Sequence, residues 1–252
     1  MKRFISILQF MTRIPINIDT GFDEEFHRTI KYFPSVGLVL GILIYIVGYV
    51  SLMLFDPFIS SILIVLSLVI LTGGLHIDGV GDTFDAIYSY RDKDRMLEIM
   101  KDSRLGTNSL LAIIFLILLK IGFVMNLIYI DLLPLVILMP VLGRQGVLAL
   151  MYKTITPREK GMGNLFIGKA SIYDLLISLV STLIFMAGVA LIFKTPILNI
   201  AMSIPVVYIF NILFKKHIYK KIDGITGDIL GCSIELNELV YLITIYITLI
   251  IL

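Results

Sequence analysis

The chain contains no tryptophan, one cysteine and three histidines. A single thiol, Cys232, excludes an intramolecular disulfide and a cysteine-built zinc centre. Without tryptophan, any aromatic belt at a membrane surface must be made of Tyr and Phe. Charge is scarce too: Asp, Glu, Lys and Arg are 16% of the 252 residues, 58% are hydrophobic, and the mean hydropathy is +0.97. Such a composition excludes an ordinary soluble domain and predicts an all-α polytopic membrane bundle. There is no internal repeat, low-complexity segment or soluble domain, so residues 1–252 read as one integral membrane domain. No cleavable signal peptide is expected, because the apolar residues after Lys2 and Arg3 are interrupted by Gln9, Thr12 and Arg13.

What is present is a set of long apolar runs, near 35–54, 58–75, 109–130, 132–151, 172–193, 196–214 and 237–252. A span needs about 20 residues, so about seven transmembrane helices are predicted. The run 132–151 is broken by Pro134, Pro140 and Arg144, which is tolerated where a segment faces protein or a polar cavity. Before the first span, residues 1–33 form an N-terminal segment. Phe4, Ile7, Leu8 and Met11 lie at helical spacing there, as in an interfacial helix on the membrane or in a packed N-terminal helix. With seven spans, 18 of the 21 Lys and Arg fall on one face, in the N-terminal segment and the loops 76–108, 152–171 and 215–235. The positive-inside rule makes that face, with the N-terminus, cytoplasmic in a multi-pass cell-membrane protein. The opposite connections are only a few residues long, so one side of the membrane carries the polar chemistry.

Its centre is Thr72–Thr107, which holds seven carboxylates, five Lys or Arg and a histidine between two apolar runs. Asp78, Asp82 and Asp85 stand at i, i+4 and i+7, a narrow arc of one helix face. Three like charges that close stay ionised together only with a cation among them. Oxygen-only donors suit Mg2+ or Mn2+, and Mg2+ commonly binds through one or two carboxylates plus substrate phosphates. The bland alternative is a solvated acidic turn. Beyond the cluster, Lys101-Asp102-Ser103-Arg104-Leu105-Gly106-Thr107 offers cations, hydroxyls and a glycine in the manner of a phosphate-holding turn. A metal-bound diphosphate is the ligand class these features suggest.

The run Gly73-Gly74-Leu75-His76-x-Asp78-Gly79-x-x-Asp82-Thr83-x-Asp85 resembles the adenosylcobinamide-GDP ribazoletransferase family, also called cobalamin synthase. Glu98–Thr107 is similar to a second run of that family, and the resemblance extends from Phe10 to Glu235. Two positions depart from it: Ala86 where the family commonly has Gly, and Gln145 where an aromatic often follows Gly-Arg.

Taken alone, Gly161-Met162-Gly163-Asn164 beside Arg158 and Lys160 reads as a flexible linker or a phosphate-approaching loop; the resemblance favours the second, with Gly161, Gly163 and Asn164 touching substrate. Arg144 reads either as a snorkelling arginine or as a fork for phosphate oxygens, and the resemblance again favours the second. Gly224-x-Thr226-Gly227-Asp228-x-x-Gly231 is similar to a C-terminal family signature, in which Asp228 would supply a metal oxygen or hold the incoming hydroxyl. Lys215 and Lys216 read as topogenic or lipid-facing.

What the resemblance implies is joining of adenosylcobinamide-GDP to α-ribazole or α-ribazole 5'-phosphate, with release of GMP. Mg2+ would be held by Asp78, Asp82 and Asp85. Lys101, Ser103, Arg104, Arg144 and Thr226 would bind substrate, and His76 or one of the aspartates, Asp82 and Asp228 included, would handle the hydroxyl proton. The expected partners are these two substrates, the lipid bilayer, and a second copy or other enzymes of the pathway, with no nucleic acid. Two rivals remain. A CDP-alcohol phosphotransferase would carry Ala-Arg where Asp82-Thr83 stands, and a cation-coupled transporter would elaborate both faces.

Overall fold

The computed structural model describes residues 2–21 and 23–251. Its regular elements are helical, and the sole β pairing among the described residues is an isolated bridge between Tyr152 and Ala170. Among the described residues eleven α-helices follow one another: α1 (Lys2–Met11), α2 (Phe33–Ser51), α3 (Pro57–Thr72), α4 (Leu75–Ile87), α5 (Lys93–Ile99), α6 (Thr107–Tyr129), α7 (Leu138–Gly146), α8 (Leu148–Met151), α9 (Ile172–Phe193), α10 (Ile197–Ile222) and α11 (Gly227–Ile251). Short 3-10 turns at Phe26–Tyr32, Leu133–Ile137 and Met162–Leu165 lead into α2 and α7 and shape the loop before α9.

Among the described residues six helical stretches are long and apolar enough to cross a membrane, or up to seven if the bent pair α3 and α4 counts as one span. Burial sorts these stretches. The apolar windows of α6, α9 and α10 are 28% buried, whereas that of Leu133–Met151 is 89% buried. Large apolar side chains such as Phe115, Leu118, Ile184 and Leu213 therefore face outward, which only lipid makes favourable. The interrupted run sits where its irregular backbone is covered by protein, with α2, α9, α10 and α11 packed around α7. Interhelical side-chain bonds add to that packing: Asn211 Nδ2 donates to Asn237 Oδ1 at 2.7 Å, and Ser233 Oγ to Asn211 Oδ1 at 2.7 Å.

At the far end of α3 the chain turns sharply. Asp56 caps the start of α3 through the Phe58 and Ile59 N–H groups, and Gly73 and Gly74 end it with φ of +65° and +72°. Only glycine adopts two such left-handed residues in succession at little cost. The corner bends the axis by 91°. Too short at 13 residues to span a bilayer, α4 thus lies across the end of the bundle, outside the spans. It packs against the first turns of α6 and α11, and a Cβ at Gly79 would come within 2.5 Å of the Asp228 carbonyl oxygen.

Two expectations about boundaries are corrected. Residues 215–235 are not a loop, because α10 runs on through the four lysines to Ile222 and α11 begins at Gly227. Lysine is a good helix former, so the helix outlasts its apolar stretch. Residues 76–108 hold two helices, α4 and α5. Residues 2–11 form α1, with Ile7, Leu8 and Met11 buried against the bundle. The basic segments nonetheless gather at one end. Lys93 pairs with Asp223 at 2.9 Å, Ile225 N–H donates to the Ile155 carbonyl at 2.9 Å, and the Phe10 ring meets Phe166 with centroids 5.6 Å apart.

Candidate active site

Because α4 is helical where the spacing requires it, Asp78 and Asp82 fall on one face, and that face meets two cavities. The larger, of about 410 Å³, lies beneath the Gly161–Phe166 loop and is lined by Phe10, Phe33, His76, Asp78, Arg158 and Asp228 among others. The smaller, of about 280 Å³, is lined by Asp78, Asp82, Lys101, Ser103, Arg104 and Ser109 among others. Asp78 borders both. One cavity is walled mainly by Phe, Met and Leu, and the other is polar.

Asp82 feels the crowding most. Burial, then Asp228 and Asp78, push its carboxyl up to about 7; Arg158 opposes them, and Asp85 adds a little. Oxygen donors held under such repulsion suit a divalent cation. Among the described residues no three His, Cys, Asp or Glu side chains converge closely enough to form a cage of their own. Any ion here would need substrate oxygens as well, which is the usual habit of Mg2+.

Asp85 is used differently. Its two oxygens accept from the Gly106 N–H at 2.7 Å and the Ser109 N–H at 2.9 Å, so it anchors the start of α6. A carboxylate at a helix N-terminus satisfies orphan donors and faces the positive end of the helix dipole. It borders neither cavity. Asp85→Ala should therefore act first on stability, costing about 1–2 kcal/mol in an unfolding measurement. An unchanged midpoint would remove the anchoring role.

Asp228, in the first turn of α11, pairs with Arg158 at 2.8 Å. The remaining guanidinium nitrogens of Arg158, Nε and Nη2, are buried without partners among the described residues. The sequence offered Arg158 only as one cation of a glycine-bearing loop; its partner lies 70 positions away, and no local signal connects them. His76 is buried at the start of α4, its Nδ1 unpartnered. Burial, with the Arg144 and Lys120 cations beyond it, holds its imidazole well below the ordinary histidine value, so the ring is neutral.

Gly161, Gly163 and Asn164 line the larger cavity, and Asn164 Nδ2 holds the loop closed on the Arg158 and Glu159 carbonyls at 3.1 Å each. Lys101 and Ser103 line the smaller one. Arg104 also borders it but is bound bidentately to Asp102, whose carboxyl it holds down to about 2. Thr226 is fully buried, its hydroxyl 3.4 Å from both Asp228 Oδ2 and the Ile229 N–H, and it faces neither cavity.

Arg144 departs furthest from its expected place. It is fully buried in α7, where Nη1 pairs with Glu238 Oε1 at 3.1 Å, and it reaches neither cavity. Glu238 in turn meets Lys120 Nζ at 2.6 Å, and Lys120 meets Glu235 at 2.5 Å. Here the sequence did carry a signal: ionisable residues inside apolar spans are almost always paired with one another. Gln145, the other departure, donates to the Tyr208 hydroxyl at 2.6 Å and accepts from Thr182 at 3.1 Å, a contact between helices.

Residues 3–246 match the family model described as cobalamin-5-phosphate synthase. Among curated proteins the chain is similar to an adenosylcobinamide-GDP ribazoletransferase of Clostridioides difficile (strain 630), 62% identical over 98% of each chain. It is also similar to one of Alkaliphilus metalliredigens, 48% identical over 96% of this chain and 94% of that one, and to one of Klebsiella pneumoniae subsp. pneumoniae, 41% identical over 96% and 98%. No solved structure matches it.

Proposed function

Since the chain belongs to the cobalamin-5-phosphate synthase family, we propose that it joins adenosylcobinamide-GDP to α-ribazole or α-ribazole 5'-phosphate, yielding adenosylcobalamin or its 5'-phosphate and GMP. The observation that supports this chemistry best is the pair of unlike cavities meeting at Asp78. A ribazole hydroxyl attacks the corrinoid-side phosphorus of the diphosphate. A new P–O bond forms, the bond from that phosphorus to the bridging oxygen breaks, and GMP leaves with the bridging oxygen. The hydroxyl proton goes to the protein.

The roles follow from position. Lys101 and Ser103 hold the diphosphate in the polar cavity, where charge grows as GMP departs. Asp78 and Asp82, which border the polar cavity, would hold Mg2+ together with phosphate oxygens, and the ion when bound would supply charge neutralisation to the diphosphate. A neutral imidazole whose basicity is depressed is a poor proton sink but a good hydrogen-bond acceptor. His76 thus orients the hydroxyl, and a carboxylate at the junction takes the proton. By the positive-inside rule, the end that carries the site is cytoplasmic.

The direct test supplies detergent-purified protein with adenosylcobinamide-GDP, α-ribazole and Mg2+, and follows the products by chromatography. A cobalamin product and GMP, both abolished by EDTA, are expected. Folded protein that yields neither would end this reading, and with it the contrast to a transporter, which needs two compartments to act.

Acidity supplies a further prediction. Without a cation the fold favours protonated Asp82, whose folded value of about 7 lies above the 3.8 of an exposed aspartate. The native state then binds more protons than the unfolded one between those values, so the metal-free protein loses stability as pH rises from about 4 to 7. A bound cation favours the ionised carboxylate. Apparent metal affinity should accordingly fall as pH drops below about 7, by up to about tenfold per unit, and level off above it. A metal titration that is flat across that range would contradict the assignment of Asp82.

A further inference from the structure

We propose that the larger cavity, beneath the Gly161–Phe166 loop, is the subsite for the acceptor, a flat apolar base carried on a ribose. This rests on the transferase reading above.

Three features of the cavity point to this occupant, the first of them its size. A volume of about 410 Å³ falls within the range of small-ligand pockets and suits a nucleoside, whereas a corrinoid bearing a nucleotide is several times larger. The donor must therefore lie mostly outside this cavity.

The second is chemistry. Phe10 and Phe33 pack edge-on around Phe166, with ring centroids 5.6 and 5.3 Å away, and Met11 and Met151 complete an apolar wall. A fused benzimidazole ring loses little on entering such a wall and gains aromatic contacts. Guanine, the donor's base, would be left there with its polar edge desolvated and unpaired, which costs free energy. The same apolar wall thus selects one substrate's base and rejects the other's.

The third is the placement of the polar groups. His76 Nδ1 and the Arg158 Nε and Nη2 atoms are buried without partners in residues that line this cavity, close to Asp78 and Asp228 where it meets its neighbour. Polar side chains of this wall that still lack partners are available to the hydroxyls of a ribose, and the guanidinium donors also to a phosphate on it. Base inward and ribose at the junction would bring a hydroxyl to the diphosphate held in the polar cavity.

The test labels cysteines with a maleimide in the full-length protein in detergent. Cys232, the one native thiol, is fully buried, so background is low. Met162→Cys places an exposed thiol on the larger cavity, and Ser103→Cys places one on the smaller. At ten times its Kd, α-ribazole should slow labelling at 162 by about tenfold and leave 103 unchanged. GDP with Mg2+ should do the reverse. Protection of 162 by GDP overturns the assignment. So does product formation by the wild type together with an unprotected 162 at saturating α-ribazole, an outcome that leaves the transferase reading standing. Absence of both product and protection in folded protein overturns both. Protection of 162 without product supports the subsite and moves the fault to the reaction.

Discussion

Asp82→Asn is expected to lower turnover by about a thousandfold while the protein stays folded and, without metal, becomes more stable. Asparagine keeps the shape of the side chain and removes the charge that Asp78 and Asp228 repel. A residue held in place for packing would behave in the opposite way, losing stability and keeping activity. Gain of stability with loss of function is the mark of a side chain whose environment suits chemistry better than folding. The pair of readouts, turnover under saturating Mg2+ and the unfolding midpoint in EDTA, decides the matter. Near-normal turnover would remove Asp82 from the site.

The second large effect lies deeper in the bundle. Glu238 touches both Lys120 and Arg144, and its side chain is 1% exposed. With all four groups ionised, Lys120, Arg144, Glu235 and Glu238 sum to zero charge. Glu238→Ala leaves two cations against one carboxylate in a fully buried setting, and breaking a buried pair in this way costs about 3–5 kcal/mol. Lys120→Met alone should be comparably damaging, since it strands Glu235. Lys120→Met with Glu235→Gln removes one charge of each sign and leaves the Arg144–Glu238 pair intact. The double variant should recover most of the loss, a coupling well beyond the few tenths of a kcal/mol that independent sites show. Additive losses would mean that the four do not act as one network. Because Arg144 and Lys120 also bear on His76, recovered stability without recovered activity would separate holding the fold from tuning the site.

Much of this was legible in the sequence. The register of Asp78 and Asp82 follows from helical spacing alone, the broken run 132–151 had to be covered by protein, and the charge asymmetry placed the polar segments together. What the sequence concealed has a common physical form, a partner distant in the chain. Asp85 looked like a third ligand because spacing fixes a face, not what the face meets, and it meets the backbone of α6. Arg144 looked like a phosphate fork, and an acid 94 positions away holds it inside. Hydropathy marked where apolar residues stop, so it missed the continuation of α10 through its lysines and the early start of α11. Arg158 could be found only once the loop and α11 were seen side by side.

The central claim, that the α4 carboxylates hold a divalent cation together with a diphosphate, is tested most directly by Mn2+ binding followed by electron paramagnetic resonance. The wild-type protein should bind Mn2+ more tightly with GDP present than without it, and Asp82→Asn should lose that enhancement. Equal Mn2+ binding by wild type and variant, with or without GDP, would contradict the account.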